Sequence, residues 1–147
     1  MELAILLLMA FPSSSSAAAV DEFHTALTEA DRDYRSASFY LRTGNPGLAL
    51  LEIQALSDKW QALSETFRDQ PPDAYANDRA WASTLGQIHH RIGSALADAE
   101  VGNIKAVRDH LEPIRAVLAD LRRRNGIFLF SDCVEEANRA METLFAY

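Results

Sequence analysis

Two Gly-Asn pairs interrupt the long amphipathic segments of this 147-residue chain, and they constrain its fold more than any other feature. Gly44-Asn45 and Gly102-Asn103 lie 58 residues apart. Glycine directly after a helix adopts the left-handed conformation that ends it, and asparagine is a preferred first cap of a following helix. Each pair therefore predicts a tight corner between two helices, and the repeated spacing predicts one helical hairpin used twice.

Apolar residues at steps of three and four predict four long helices around these corners. The four seams run Val20 to Leu41, Ala49 to Phe67, Trp81 to Ala99 and Val107 to Leu121. Pro113 lies inside the fourth seam and predicts a kink near Asp109. Because short turns force neighbouring helices to reverse direction, we expect an all-α fold: an antiparallel up-down-up-down four-helix bundle with a short fifth C-terminal helix.

Three further patterns carry expectations about packing. Ser131 resembles the cap of the short fifth helix, which would plug an end or a groove of the bundle. The run from Ile127 to Phe130 is too apolar for an exposed loop, so we expect it to be buried. Gly86 and Gly93 lie one heptad apart on the third helix, where small residues usually admit a close neighbouring helix.

The N-terminal segment resembles a cleaved export signal. Residues 3–11 form an apolar run too short to span a bilayer as a helix, and Ala17 to Ala19 supply a small-residue cleavage pattern. Met1 and Glu2 carry no Lys or Arg, so either translation starts further upstream or the signal is atypical; a retained apolar anchor is the alternative. We expect residues 1–19 to be a signal peptide and residues 20–147 to form a single domain, periplasmic or secreted.

The charge of the chain excludes some classes of partner. Removing residues 1–19 takes away one acidic residue and no basic residue, so the net charge changes from −7 to −6. An acidic chain with scattered basic residues argues against binding to nucleic acid or to an anionic membrane. The basic cluster at residues 122–124 ends the fourth helix, where cations complement the helix dipole. We expect no membrane span after signal cleavage.

No sequence motif for hydrolase, phosphate-loop, metalloprotease or di-iron chemistry occurs in the chain. The absence of all four favours a non-enzymatic protein that binds a protein partner or a small ligand. A homodimer is a further possibility, because the chain carries two Trp residues and much apolar seam for its size. A partner-binding role predicts an apolar patch that stays exposed after folding.

Four polar side chains interrupt or flank the apolar seams at similar depth: Tyr34, Glu52, His89 and His110. The 58-residue offset superposes Glu52 on His110, so the group could share one interior layer. Such a layer either fixes helix register as a satisfied polar cluster or forms a small-ligand or metal site, for which His89, His110 and Glu52 suit Zn or Cu. In a third reading the groups never meet. The other two histidines, His24 and His90, are expected at the surface.

The single cysteine, Cys133, has three readings. It is a buried or half-buried apolar residue, it links two copies through an intermolecular disulfide, or it has a redox or metal role favoured by a helix N-terminus. An exported four-helix bundle with cysteine near its C-terminus resembles the cytochrome c′ family, which attaches haem through C-x-x-C-H. Here Glu136 and Ala137 replace the second cysteine and the histidine, so the resemblance implies a haem-less relative with no cofactor attached by that route.

Overall fold

A computed structural model describes residues 15–145 and confirms an all-helical fold over that range. Six α-helices follow one another: α1 (Ser15–Arg42), α2 (Pro46–Phe67), α3 (Trp81–Glu100), α4 (Ile104–Leu111), α5 (Pro113–Arg124) and α6 (Phe130–Phe145). A 3-10 turn at Asp73–Tyr75 lies between α2 and α3. Residues 1–14, most of the predicted signal peptide, lie outside the described residues, and the predicted cleavage point after Ala19 falls within α1.

Both Gly-Asn corners form at the predicted positions, with a side-chain cap hydrogen bond at Asn103 but none at Asn45. Gly44 and Gly102 have φ angles of 75° and 74°. In each corner the asparagine N–H donates to the carbonyl oxygen five residues before it, at 2.9 Å. This bond defines the helix ending that requires a left-handed residue, which glycine adopts without steric cost. Gly126, with φ of 72°, ends α5 in the same way.

The predicted seams form the hydrophobic core. All six seam residues of α2 are buried: Ala49, Ile53, Leu56, Trp60, Leu63 and Phe67. They meet the buried seams of α1 and α3, and α3 in turn packs against α4 and α5. The indole of Trp60 donates to the carbonyl oxygen of Leu85 at 3.3 Å, so this large side chain is buried without leaving its N–H unpaired.

Aromatic side chains close one end of the core. Phe23 of α1 contacts Phe67, Tyr75 and Trp81, with ring centroids 5.0–5.3 Å away. Trp81 also donates from its indole to the carbonyl oxygen of Phe67 at 2.8 Å. These contacts bring together the start of α1, the end of α2, the 3-10 turn and the start of α3. Tilted and edge-on ring pairs of this kind add stability beyond the apolar area that they bury.

Pro113 interrupts the fourth predicted helix and divides it into α4 and α5. The interruption lies at Glu112, close to the expected position. Proline has no N–H to donate to the carbonyl of Asp109, and its ring crowds that carbonyl. The preceding bond, from the N–H of Glu112 to the carbonyl of Arg108, is intact at 2.9 Å, so the chain continues in the helical direction.

A polar network joins the start of α3 to the end of α5. One carboxylate oxygen of Asp78 accepts from Arg124 at 2.8 Å and from Asn125 at 2.9 Å, and the other accepts from the N–H of Ala80 at 2.9 Å. Arg124 also donates to the hydroxyl of Thr84 at 2.6 Å. Burial raises the pKa of Asp78, but these hydrogen bonds outweigh it and keep the pKa below its ordinary value.

The expectation for the two helical glycines is wrong. Gly86 and Gly93 are exposed, and a side-chain carbon placed at either would meet nothing within 4 Å. Each follows a buried residue of the α3 seam, Leu85 or Ile92, and is therefore rotated about 100° away from the core. Because they lie one heptad apart, both glycines fall on the same outer face of α3, away from the core.

The apolar run before α6 is also not buried as expected. Ile127 packs against the core, but Phe128, Leu129 and Phe130 are exposed. Over the described residues α6 has no extended contact with another helix, and the run that leads into it is exposed as well. Within residues 15–145 no helix combines the length and hydropathy needed to cross a membrane.

We expect Asp78→Ala to lower the free energy of unfolding by about 1–3 kcal/mol, because Arg124 and Asn125 lose their acceptor in a partly buried site. Urea denaturation at pH 7 measures the change. The pKa of Asp78 lies below 3.8, so its contribution is present above about pH 4 and is lost as the pH falls through that lowered value.

The matched control is Asp69→Ala, which removes an exposed carboxylate just beyond α2. It should change the free energy of unfolding by no more than about 0.5 kcal/mol. An equal loss in both variants would contradict a specific role for the Asp78 network.

Candidate functional site

The predicted interior layer does not assemble. His89 is exposed, because it follows the buried Ile88 and is turned away from the α3 seam. His110 is half-buried and its Nε2 lies 3.2 Å from a carboxylate oxygen of Asp98, so its partner is an aspartate on α3 and not Glu52. Glu52 is half-buried on α2. Among the described residues no three His, Cys, Asp or Glu side chains are grouped to hold a metal.

Tyr34, the fourth member of the predicted layer, faces a different helix. The guanidinium of Arg115, on α5, lies over its ring at 5.0 Å from the centroid, a distance typical of a cation–π contact. Arg115 also lies 3.5 Å from a carboxylate oxygen of Asp31. Tyr34 therefore joins α1 to α5 at the edge of a groove that the sequence patterns do not reveal.

This groove lies between α1, α5 and α6 and encloses about 690 Å³. Its apolar lining comes from all three helices and the residues before α6: Leu27, Leu118, Leu129, Phe130 and Val134. Polar side chains at its walls include Asp31, Arg35, Arg115 and Arg122. An apolar lining with a few polar groups is typical of a binding cleft, and the volume lies in the usual range for one.

A partly buried ion pair attaches α6 to the rest of the fold. Arg122, at the end of α5, makes two parallel hydrogen bonds to the carboxylate of Asp132, with 2.7 Å between Nε and Oδ2. The hydrogen bond from Arg122 keeps the pKa of Asp132 below its ordinary value. The two side chains are only 12% and 18% exposed, so solvent screens this pair weakly. Arg122 is thus an anchor of α6, and not only a helix-capping cation.

His24 lines the groove and is not the surface residue that we expected. Its Nε2 lies 3.0 Å from the hydroxyl oxygen of Tyr75, which is buried in the aromatic cluster. Burial, and then the nearby charge of Arg122, lower the pKa of His24 below 6.5. Burial likewise raises the pKa of Tyr75. The uncharged form of the His24 imidazole is therefore favoured in the groove, and the uncharged phenol of Tyr75 lies behind it in the core. The other expected surface histidine, His90, is exposed.

The helix α6 carries an apolar stripe that the fold leaves largely uncovered. We define the α6 stripe by six residues: Phe130, Cys133, Val134, Ala137, Met141 and Leu144. All six are exposed, with 86% exposure for Phe130 and 75% for Leu144. Phe128, just before the helix, is 74% exposed. Together with the groove, this stripe is the candidate functional site.

Cys133 lies on this stripe with an exposed, unpaired thiol. The interpretation of Cys133 as a buried apolar residue is therefore wrong, because no helix in the described part of the chain packs extensively against α6. The intermolecular and redox interpretations of the thiol stay predictions.

We expect the stability of the protein to fall on acidification through His24. A histidine with a lowered pKa stabilises the fold fully above its unfolded value near 6.5, and that contribution is lost as the pH falls through the lowered value. Between pH 7.5 and 5 the free energy of unfolding of His24→Gln should therefore fall less than that of the wild type. Urea denaturation across this range measures both slopes. His90→Gln, an exposed control, should keep the wild-type slope.

We also expect Asp132→Asn to release α6. Loss of the charged pair with Arg122 should raise amide hydrogen exchange in residues 130–145 by about tenfold or more, while α2 and α3 keep their protection. Mass spectrometry of deuterium uptake measures the effect. Glu136→Gln removes an exposed charge from the same helix and should change little. Equal exchange in the two variants would show that the ion pair does not anchor α6.

Comparisons with protein-family models, with curated proteins and with solved structures give no match for this chain.

Proposed function

We propose that this chain is an exported, non-enzymatic binding protein that holds a protein partner at the α6 stripe and the adjoining groove. The observation that carries the proposal is the uncovered apolar surface of α6. Exposed apolar side chains that are contiguous, rather than scattered, mark interaction sites. This is the patch that a partner-binding role predicts from the sequence.

The composition of the site also suits a protein partner. Its exposed apolar residues include Phe128, Phe130, Met141 and Leu144, and aromatic residues and methionine are enriched in protein interfaces. Arg35 and Arg115 stand at the groove wall and provide a polar rim. Arginine is also over-represented among the residues that contribute most to binding.

Export is the second part of the proposal. It is supported by the apolar run at residues 3–11 and by the small residues at 17–19. In that case the protein isolated from the periplasm or the medium begins at Val20. N-terminal sequencing of the accumulated protein decides between this form and a retained anchor.

The arrangement of helices that displays the site is, we propose, an antiparallel up-down-up-down bundle formed by α1, α2, α3 and the α4–α5 pair. Contacts at opposite ends support it. The aromatic cluster and the Asp78 network gather helix ends at one end of the fold. At the other, Arg108 of α4 donates to the carbonyl oxygen of Leu41, near the end of α1, at 2.6 Å. Short Gly-Asn corners favour the same topology.

A small amphiphilic ligand is the second candidate, favoured by the size and mixed lining of the groove. Metal binding through His89, His110 and Glu52 gains no such support from the described residues, since His89 is exposed and the three side chains form no cluster. Of the two binding roles, a protein partner accounts for more of the surface. The stripe extends beyond the groove to Leu144, which a small ligand in the groove does not cover.

Site-specific photocrosslinking in the producing cell would test the proposal. With the photoreactive residue p-benzoylphenylalanine in place of Phe128, irradiation should give a discrete cross-linked product. The same residue in place of Leu51, an exposed leucine on α2, should give none. Adding Phe130→Asp to the Phe128 probe should reduce the yield by about tenfold or more, because a charge replaces a central apolar side chain.

Equal products from the Phe128 and Leu51 probes, or no product from either, would contradict a docking site at the α6 stripe. The identity of any product follows from its mass and its peptides, so a second copy of this chain is distinguished from a different protein.

A further inference from the structure

The exposure of the α6 stripe is graded across its width. Successive helix residues advance by about 100°, which places all six stripe residues within an arc of about 100°. Val134, at the edge that lines the groove, is 42% exposed, and Met141 beside it is 54% exposed. Leu144, further across, is 75% exposed, and Phe130, which lines the groove at the start of the helix, is 86% exposed. The stripe thus begins inside the groove and continues out of it as one surface.

The groove and the helix beside it have opposite charge. Arg122 and Asp132 both line the groove and neutralise each other. Beyond that pair, the walls supplied by α1 and α5 contain two arginines, Arg35 and Arg115, against one aspartate, Asp31. In sequence α6 contains, besides Asp132, three acidic residues against one arginine. An occupant complementary to the groove is therefore an apolar helix with acidic flanks, and α6 has this composition itself.

Resting on the proposed function, we propose that the partner is a second copy of this chain. The α6 stripe of each copy lies in the groove of the other, about a two-fold axis. A two-fold interface requires one surface that carries both halves of the contact, since each residue meets the same set in reverse. The stripe and the groove meet this requirement because they share an edge at Val134. Binding of an unrelated protein does not require the stripe and the groove to lie on the same face of this chain.

The size of the surface fits a dimer. From the exposures of Phe128, Leu129, Phe130, Val134, Met141 and Leu144, the apolar area available per copy is about 600–700 Å². A stable interface of ordinary size buries about 800 Å² per partner. The apolar surface supplies most of that area, and the charged rim supplies the remainder.

Sedimentation velocity of the protein, purified in the form that accumulates in the cell, tests the inference between about 1 and 200 μM. We expect a concentration-dependent dimer. Leu144→Glu should raise its dissociation constant by about tenfold or more, whereas Leu51→Glu, the matched change at a 65% exposed leucine on α2, should leave it within about twofold. A monomer at every concentration, or equal effects of the two variants, would overturn the inference.

Alkylation of Cys133 gives a second measurement that needs no variant. Because this thiol is exposed on the stripe, its reaction rate with N-ethylmaleimide should fall at least about threefold as the dimer forms. A dimer with an unchanged rate would place the interface elsewhere and overturn the inference. If the protein is a monomer and its Phe128 probe cross-links a different protein, the inference of a second copy is wrong but the proposed function stands. A monomer with no cross-link overturns the proposed function as well.

Discussion

Positive φ at three glycines is the constraint on which the remaining architecture depends. Gly44, Gly102 and Gly126 end α1, α3 and α5. Three residues separate α1 from α2 and α3 from α4, and five separate α5 from α6. A side-chain carbon at any of them would meet open space, so the requirement for glycine comes from the backbone alone. Any residue other than glycine would adopt that conformation at a cost of about 1–2 kcal/mol. The helix would then tend to continue past these positions. A longer helix would shift the following seam off the core.

Local patterns predicted the parts of the fold that depend on neighbouring residues. The helix endings follow from glycine and proline chemistry, and the six buried residues of α2 follow from spacing alone. The buried face of α2 is easy to predict, because its apolar residues recur with the helical period and all lie on one side of the helix. The same reasoning located the interruption before Pro113, where a missing N–H acts within one turn.

The candidate site was less predictable because it depends on contacts between helices that are distant in sequence. His24 and His89 are both polar residues beside a seam, yet only His24 meets a distant partner, the hydroxyl of Tyr75 across 51 residues of sequence. The offset that paired Glu52 with His110 assumed equivalent hairpins. The third helix instead supplies Asp98, four residues before Gly102, as the neighbour of His110. An apolar run such as residues 127–130 has the same sequence pattern whether it is buried by its own chain or by another one. The pattern alone therefore does not predict where the run packs.

The exposed stripe also bears on why α6 is a helix at all. An isolated helix of 16 residues is close to the length at which helices are marginal in water, and most helical stability in proteins comes from packing of an apolar face. Here the Arg122–Asp132 pair attaches the first turn, while Met141 and Leu144 lie further along the helix with more than half of their surface exposed. The proposed partner would pack against this apolar face, and its binding would stabilise α6 by mass action, because it binds only the folded helix.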